Sequence, residues 1–532
     1  MEDRVLVAGG GAMGSGIAFV AARAGFSVEV VEPDATAQRR AEERIARGAE
    51  RAGDPSITGR VQFVSDVPSH SDAAVAIEAV PESFDLKRDV IGRLAAALDP
   101  QALLATNTSS LSVSELAEGV QNPQRILGLH FFNPPAAMAL IEVVYAAQTG
   151  DEPFERAVTF VQRLGKTPVE TADSPGFIVN RVARPYYLQA MRALDRGVAS
   201  IEELDALARA AGFRMGPFEL MDFIGIDVNL ATSDSIYART EEARLEPIEV
   251  QRDMVSQGLL GRKSGAGFYD YRRGDPEQLD LTPAAVDGPP DTGEVVVLLG
   301  FGGLADELAG MLAERYEHVV RVENDDLLDE ISLDTTIVVD AGGDGETDRG
   351  EVLAALDSLL GPEAVFFADA YATDLRACAK RMQHPERLVG YGVLGSFQAQ
   401  DAVEIVDAED LSDDALELAQ ELFESIGKGV VLVEDVPGLF LGRTVGSIVN
   451  EAVIAIDAGI ASADDIDTAM RLGTNYPIGP IAWGREIGGK RIARILNRLA
   501  AAEGSQFGPH RALWVLDVED ASEEAPAEAG AP

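Results

Sequence analysis

The second half of this chain is a reworked copy of the first. Asp173-Ser174-Pro175-Gly176-Phe177 is echoed 262 residues later by Asp435-Val436-Pro437-Gly438-Leu439, and Met215-Gly216-Pro217-Phe218 is echoed 263 residues later by Ile478-Gly479-Pro480-Ile481. Upstream of each echo an apolar run enters a glycine cluster, Arg4 to Ala8 before Gly9-Gly10-Gly11 and Val295 to Gly300 before Phe301-Gly302-Gly303. Self-similarity over this distance means one folding unit built twice, so whatever fold the first copy takes must be found again in the second.

Within the first copy the strands Arg4 to Ala8, Ser27 to Val31 and Ala73 to Val80 alternate with helical stretches such as Gly14 to Ala24, which predicts a doubly wound, mostly parallel sheet. Past residue 155 the pattern turns helical, with Phe177 to Arg196 and Ile201 to Ala211 reading as long amphipathic helices. The expected fold class is therefore α/β plus all-α, the pair repeated twice. The boundaries fall at 1–173, 174–272, 294–434 and 435–516, with a linker rich in Asp, Pro and Gly at 273–293 and a disordered acidic tail at 517–532.

Charge narrows the partners. The 532 residues carry 89 acids against 44 bases, a net charge of -45, and only six of those bases are lysine. Such a surface repels phosphate backbones, so no nucleic-acid role is expected. Carboxylates in this excess suit a protein kept soluble in concentrated salt, a halophilic reading that unchanged folding in dilute buffer would overturn. Residues 286 onward carry -32 of the net charge and residues 1 to 285 carry -13, which leaves the first copy better suited to anionic ligands. Cys378 is the single cysteine, so neither an intrachain disulfide nor a cysteine-based zinc centre can form, and no metal site is expected. No secretory or membrane-spanning run is apparent, so a cytoplasmic protein with no membrane partner is expected.

Gly9-Gly10-Gly11-Ala12-Met13-Gly14 has the spacing of a dinucleotide loop, with a strand before it, a helix after it and Glu32 closing the next strand. Gly9 would make the turn, Gly11 admit a pyrophosphate and Gly14 allow close helix packing, with Ala12 and Met13 opening the helix toward the phosphates. Glu32 would accept hydrogen bonds from the adenosine ribose hydroxyls and repel a 2′-phosphate, which favours NAD over NADP. Further on come Asn107-Thr108-Ser109-Ser110, then Leu129-His130-Phe131-Phe132-Asn133-Pro134, then Glu142. By itself His130 in its apolar run reads more readily as a satisfied core residue than as a base, and the hydroxyl cluster by itself as a helix cap.

Taken together, these strings resemble the L-3-hydroxyacyl-CoA dehydrogenase family over nearly all of residues 1 to 275. Ala79-Val80-Pro81-Glu82, Pro175 to Arg181, Gly216 to Asp222 and Gly265 to Tyr269 add to the likeness. The resemblance implies a NAD-binding Rossmann domain followed by the family's helical C-terminal domain. It also implies a catalytic pair His130 and Glu142, substrate-orienting Ser109 and Asn180, and cofactor contacts at Glu82, Lys87 and Asn107. An acyl-CoA substrate would lie along Ser109, Asn133 and Asn180. Its phosphates would meet arginines of the run Arg39, Arg40, Arg44, Arg47 and Arg51, with Arg44 and Arg51 the expected contacts. The implied reaction is NAD-dependent oxidation of (S)-3-hydroxyacyl-CoA. The alternatives are a free hydroxy or sugar acid as substrate on the same fold, or a non-catalytic binding or structural protein.

The repeat offset places Gly392 opposite His130 and Gly442 opposite Asn180, while Glu404 stands opposite Glu142. A copy without the base is expected to be catalytically silent. Its helical domain would serve as a built-in partner for the first, giving a pseudo-dimeric monomer or a homodimer.

Overall fold

The computed structural model describes residues 4–283, 291–300, 302–322, 331–342 and 348–517, and the chain divides into two compact units. One comprises residues 1–183, 238–240 and 455–475; the other comprises 184–237, 241–454 and 476–532.

The first unit is built on eight strands, β1 (Arg4–Ala8), β2 (Ser27–Val31), β3 (Val61–Val64), β4 (Val75–Glu78), β5 (Leu103–Thr106), β6 (Ile126–Phe131), β7 (Leu140–Tyr145) and β8 (Thr167–Ala172). They lie in the order β3-β2-β1-β4-β5-β6-β7-β8, parallel except at β6–β7. Strands buried on both faces need unbroken apolar runs, and Val5, Leu6, Val7, Val75, Ala76 and Ile77 supply them. The reversal at β4, where the strand order turns back on itself, opens the crevice used for ligands in doubly wound sheets.

In the second unit β9 (Asp291–Leu299), β10 (Tyr316–Val322), β11 (Ile337–Asp340), β12 (Val365–Asp369), β13 (Leu388–Gly392), β14 (Ala402–Val406) and β15 (Gly429–Val433) repeat this design in the order β10-β9-β11-β12-β13-β14-β15. The antiparallel pair is again the last but one in the sheet, β13–β14. Three expectations need correction. Strand β9 starts at Asp291, inside the expected linker, of which 284–290 lie outside the described residues. Of the expected tail, Asp517 closes a short helical turn and 518–532 lie outside the described residues. The expected helix Phe177 to Arg196 is two helices, Val179–Val182 and Arg184–Asp195. Pro185 has no N–H to bond back to the preceding turn, which breaks the ladder there. Ser447 stands at that place in the second copy, and Leu441–Asp457 is one helix.

Helical elements are exchanged between copies. In the first unit Ala172 N donates to Ile460 O at 2.8 Å, and helix Ala463–Thr474 packs on β7 and β8. Its Gly473 lies so close that a Cβ would stand 2.9 Å from Leu140. In the second unit Glu434 N donates to Val198 O at 3.0 Å, and helix Ile201–Ala210 packs on β14. These two bonds are the same bond with the copies interchanged. Each sheet thus has its last strands covered by the other copy's helix. Residues 1–285 expressed alone would leave β7 and β8 bare, so they are expected to associate or aggregate; a soluble, fully active monomer by size exclusion would rule out this dependence.

Candidate active site

The glycine loop leaves β1 as the spacing requires. Gly9 takes φ +110°, and a Cβ there would stand 2.6 Å from the Ala79 carbonyl oxygen, while a Cβ on Gly14 would stand 1.9 Å from that of Gly9. Gly11, in contrast, faces open space with no atom within 4 Å of a Cβ. Helix Ala12–Arg23 begins there with no side-chain cap and no acid in its first turn, so its first N–H groups face outward for an anion. Glu32 follows β2 directly and lies beside this loop, its carboxylate accepting from Gly10 N at 2.8 Å and Asp34 N at 3.0 Å. These residues fit a dinucleotide: the backbone cradle takes the pyrophosphate and Glu32 is fixed where the ribose would lie.

Beyond the crevice, β6 and β7 set His130 directly opposite Glu142. Glu142 is fully buried and its Oε2 lies 2.6 Å from His130 Nδ1, while Oε1 accepts from Ile178 N at 3.0 Å and Val179 N at 2.9 Å. One carboxylate therefore holds both the imidazole and the start of helix Val179–Val182, which carries Asn180. The ring rests against Phe132 and Phe177, with centroids 4.5 and 5.7 Å away. A carboxylate on Nδ1 makes that nitrogen the N–H of the neutral ring and leaves Nε2 as the basic one.

The Asn107 to Ser110 loop follows β5. Asn107 Oδ1 accepts from Phe131 N at 2.8 Å and so ties this loop to the residue after His130. Glu82 Oε1 accepts from the Ser109 and Ser110 amides at 3.1 Å each, from Ser110 Oγ at 2.8 Å and from Thr108 Oγ1 at 2.5 Å. Burial pushes the Glu82 carboxyl up, but the Lys87 ammonium and these donors outweigh it and hold the group below its usual range. Lys87 is itself buried, bonding Glu78 at 2.8 and 3.0 Å and lying 3.3 Å from Glu82.

Three residues of this network were not expected: Glu78, Thr108 and Arg239, whose guanidinium donates to Ser110 O at 3.0 Å. Glu78 had a signal in the repeat, since an acid and a base nine residues apart recur as Asp340 and Arg349, again bonded at 2.8 Å. The arginine run behaves differently from expectation at Arg44, whose guanidinium bonds Gly10 O and Ser15 Oγ, each at 2.8 Å, and so braces the glycine loop. Helix Ala35–Ala52 turns Arg44 inward, while Arg51 is exposed on its last turn. Asn133, before Pro134, is also exposed.

The second copy shows how such a site closes. Tyr371, at the repeat position of Ser109, lies where a Cβ on Gly392 would stand 2.4 Å from its ring and one on Gly442 2.9 Å. It fills the space that the histidine and asparagine occupy in the first copy. Its hydroxyl donates to Glu404, which still accepts from Phe440 N and Leu441 N as Glu142 does from Ile178 and Val179. Beside it Arg491 is bonded to Asp369 and to the Val393 and Leu394 carbonyls.

A Rossmann crevice and a carboxylate-held imidazole on one sheet are the parts of a nicotinamide-dependent oxidoreductase. Residues 4–174 and 305–436 match the NAD binding domain of 3-hydroxyacyl-CoA dehydrogenase, and 176–271 and 438–524 match the C-terminal domain of the same enzyme. The chain belongs to the 3-hydroxyacyl-CoA dehydrogenase family, in a form with both domains duplicated, and NAD is its cofactor. It is 37% identical over 513 residues to a 3-hydroxyadipyl-CoA dehydrogenase of Escherichia coli K12, covering 94% of each chain. The rat mitochondrial hydroxyacyl-coenzyme A dehydrogenase is 38% identical over 285 residues, 50% of this chain and 91% of that one. The crystal structure of a 3-hydroxybutyryl-CoA dehydrogenase from Escherichia coli K12 superposes with a TM-score of 0.77 at 34% identity, covering 96% and 98% of the two chains. Among the described residues no helix is long and apolar enough to cross a membrane, and no group of three or more His, Cys, Asp or Glu is placed to hold a metal.

Proposed function

We propose that this protein oxidises (S)-3-hydroxyacyl-CoA to 3-oxoacyl-CoA in the cytoplasm, in fatty acid β-oxidation or a related acyl-CoA route. The observation that carries the reading is the His130–Glu142 pair, whose second ring nitrogen has no partner among the described residues. Oxidising a secondary alcohol removes a proton from oxygen and a hydride from carbon. His130 Nε2 takes the proton as the carbonyl forms, and Glu142 stabilises the imidazolium that results. NAD, when bound on the glycine loop, supplies the hydride acceptor. Ser109 and Asn180 orient the substrate oxygens, a contribution of position rather than of charge. Asn107, Glu82 and, through Glu82, Lys87 shape the nicotinamide end of the crevice, and Asn133 borders the acyl-CoA. Arg51, exposed and without an ion pair among the described residues, is the candidate for a CoA phosphate.

A kinetic panel tests the substrate class. 3-Hydroxyadipyl-CoA, 3-hydroxybutyryl-CoA, longer 3-hydroxyacyl-CoAs and free hydroxy and sugar acids would be compared at low and high salt. At least one CoA ester is expected to exceed every free acid by about 10²-fold or more in kcat/KM, since the CoA contacts contribute binding energy at a distance from the reacting carbon. A free acid matching the best ester would transfer the activity to the other substrate class. The E. coli relative named for 3-hydroxyadipyl-CoA matches across both copies, which makes that ester the first member of the panel.

A further inference from the structure

We propose that Thr108 and Arg239, acting with Glu82, are positioning residues for the substrate: they clamp the Ser109–Ser110 peptide so that the Ser109 hydroxyl is held ready for the substrate oxygen. The proposal rests on the dehydrogenase reading given above, and extends it to residues with no assigned role.

The loop's hydroxyls divide into those the protein uses and one it leaves. Glu82 Oε1 takes both amides, the Ser110 hydroxyl and the Thr108 hydroxyl. Thr108 Oγ1 in turn accepts from Leu111 N at 3.0 Å and Ser110 N at 3.4 Å. From the other side of the peptide, Arg239 donates to the Ser110 carbonyl at 3.0 Å. Of the loop's three hydroxyls, that of Ser109 alone has no partner among the described residues. A loop this fully bonded presents a single hydroxyl with its backbone fixed at both ends. That arrangement removes the entropy a free loop would lose on meeting its substrate.

The second copy separates the Thr108 arm of this clamp from mere scaffolding. Where the duplicate keeps an interaction for the fold, it keeps the chemistry: Asp340–Arg349 for Glu78–Lys87, and the helix-start bonds of Glu404 for those of Glu142. Where the base has gone, the threonine arm of the clamp has gone with it. Ala370 stands for Thr108 and Tyr371 for Ser109, whereas the arginine arm is kept in altered form: Ala502 stands for Arg239 by the 263-residue offset between helices Ile226–Thr240 and Gly489–Glu503, and Arg498 of the latter helix donates to the Ala370 and Tyr371 carbonyls at 2.5 and 3.2 Å.

The test is a double-mutant cycle on the full chain with a fold-independent readout beside it. Thr108→Val is expected to lower kcat/KM for the best 3-hydroxyacyl-CoA about 30-fold and Arg239→Ala about 10-fold, with Thr108→Ser recovering to within about threefold and the NADH dissociation constant unchanged within about twofold. In a Ser109→Ala background Thr108→Val should add less than about twofold, because a residue that acts through Ser109 has nothing left to position. Loss that multiplies fully in that background, or an unimpaired Thr108→Val, overturns the proposal. Amide hydrogen exchange decides independently of turnover: Ser109 and Ser110 should exchange about tenfold faster in Thr108→Val than in the parent. Unchanged exchange overturns the clamp. A parent protein inactive on every acyl-CoA would instead overturn the function, and the exchange result would still decide the clamp.

Discussion

Replacing His130 by glutamine is expected to lower kcat for 3-hydroxyacyl-CoA oxidation by about 10²- to 10⁴-fold, the range that a positioned general base contributes. Glutamine keeps the size of the side chain but has no basic nitrogen, so the alcohol proton has no acceptor at the position Nε2 now holds. NADH binding is expected to stay within about threefold of the parent. The glycine loop and Glu32 directly follow β1 and β2, and the bonds between them do not pass through β6. The measurements are NADH formation at 340 nm and a fluorescence titration of NADH. Full turnover in the variant would remove His130 from the mechanism. Lost NADH binding would show that the substitution had damaged the fold, and His130→Asn would then be the variant to assay. The non-catalytic reading of the chain makes the opposite prediction, since the parent itself would show no turnover to lose.

Much of this site could be read from residue order, for a definite reason. The glycine loop is a backbone solution to a phosphate, and its demands at Gly9 and Gly14 are steric, so they leave an imprint on the sequence itself. The pairing of His130 with Glu142 is different. Twelve residues of spacing do not fix a cross-strand register; that depends on the return through Pro134 to Leu140 and on β7 running antiparallel to β6. The resemblance supplied what the spacing could not. Side-chain direction was the part least visible. Arg44 and Arg51 lie seven residues apart on one helix, yet one faces the glycine loop and the other solvent. Thr108 sat inside a recognised hydroxyl cluster, but its bond to Glu82 joins two loops that are adjacent only because β4 and β5 pair. The long helix expected at Phe177 failed at Pro185, a residue whose effect on the ladder is local and could have been anticipated.

Glu142 and Glu404 offer the second large effect, because the duplication divides one residue's two tasks between two positions. Glu142→Gln is expected to reduce kcat by about 10²- to 10⁴-fold, as loss of the carboxylate behind a catalytic histidine does elsewhere. The amide can still accept from Ile178 and Val179 through its oxygen, but its NH₂ then faces Nδ1 and selects the tautomer with Nε2 protonated, which is not a base. Glu404→Gln should leave kcat within about twofold, since its partner is Tyr371 and no base stands in that copy. Its effect belongs to stability. Burial raises the Glu404 carboxyl to about 7, against the bonds from Tyr371, Phe440 and Leu441 that favour its charge. The native state then binds this proton more tightly than the unfolded chain, so the folded protein loses stability as pH rises from about 4.5 through about 7. That loss is on the order of 3 kcal/mol by linkage, and glutamine at 404 should flatten it in urea titrations across this range. Equal losses of kcat at both positions would mean that the second copy shares in catalysis. A kcat loss at 142 with none at 404, and a changed pH slope at 404, would establish that the bonds at the helix start are scaffold and the bond to histidine is mechanism.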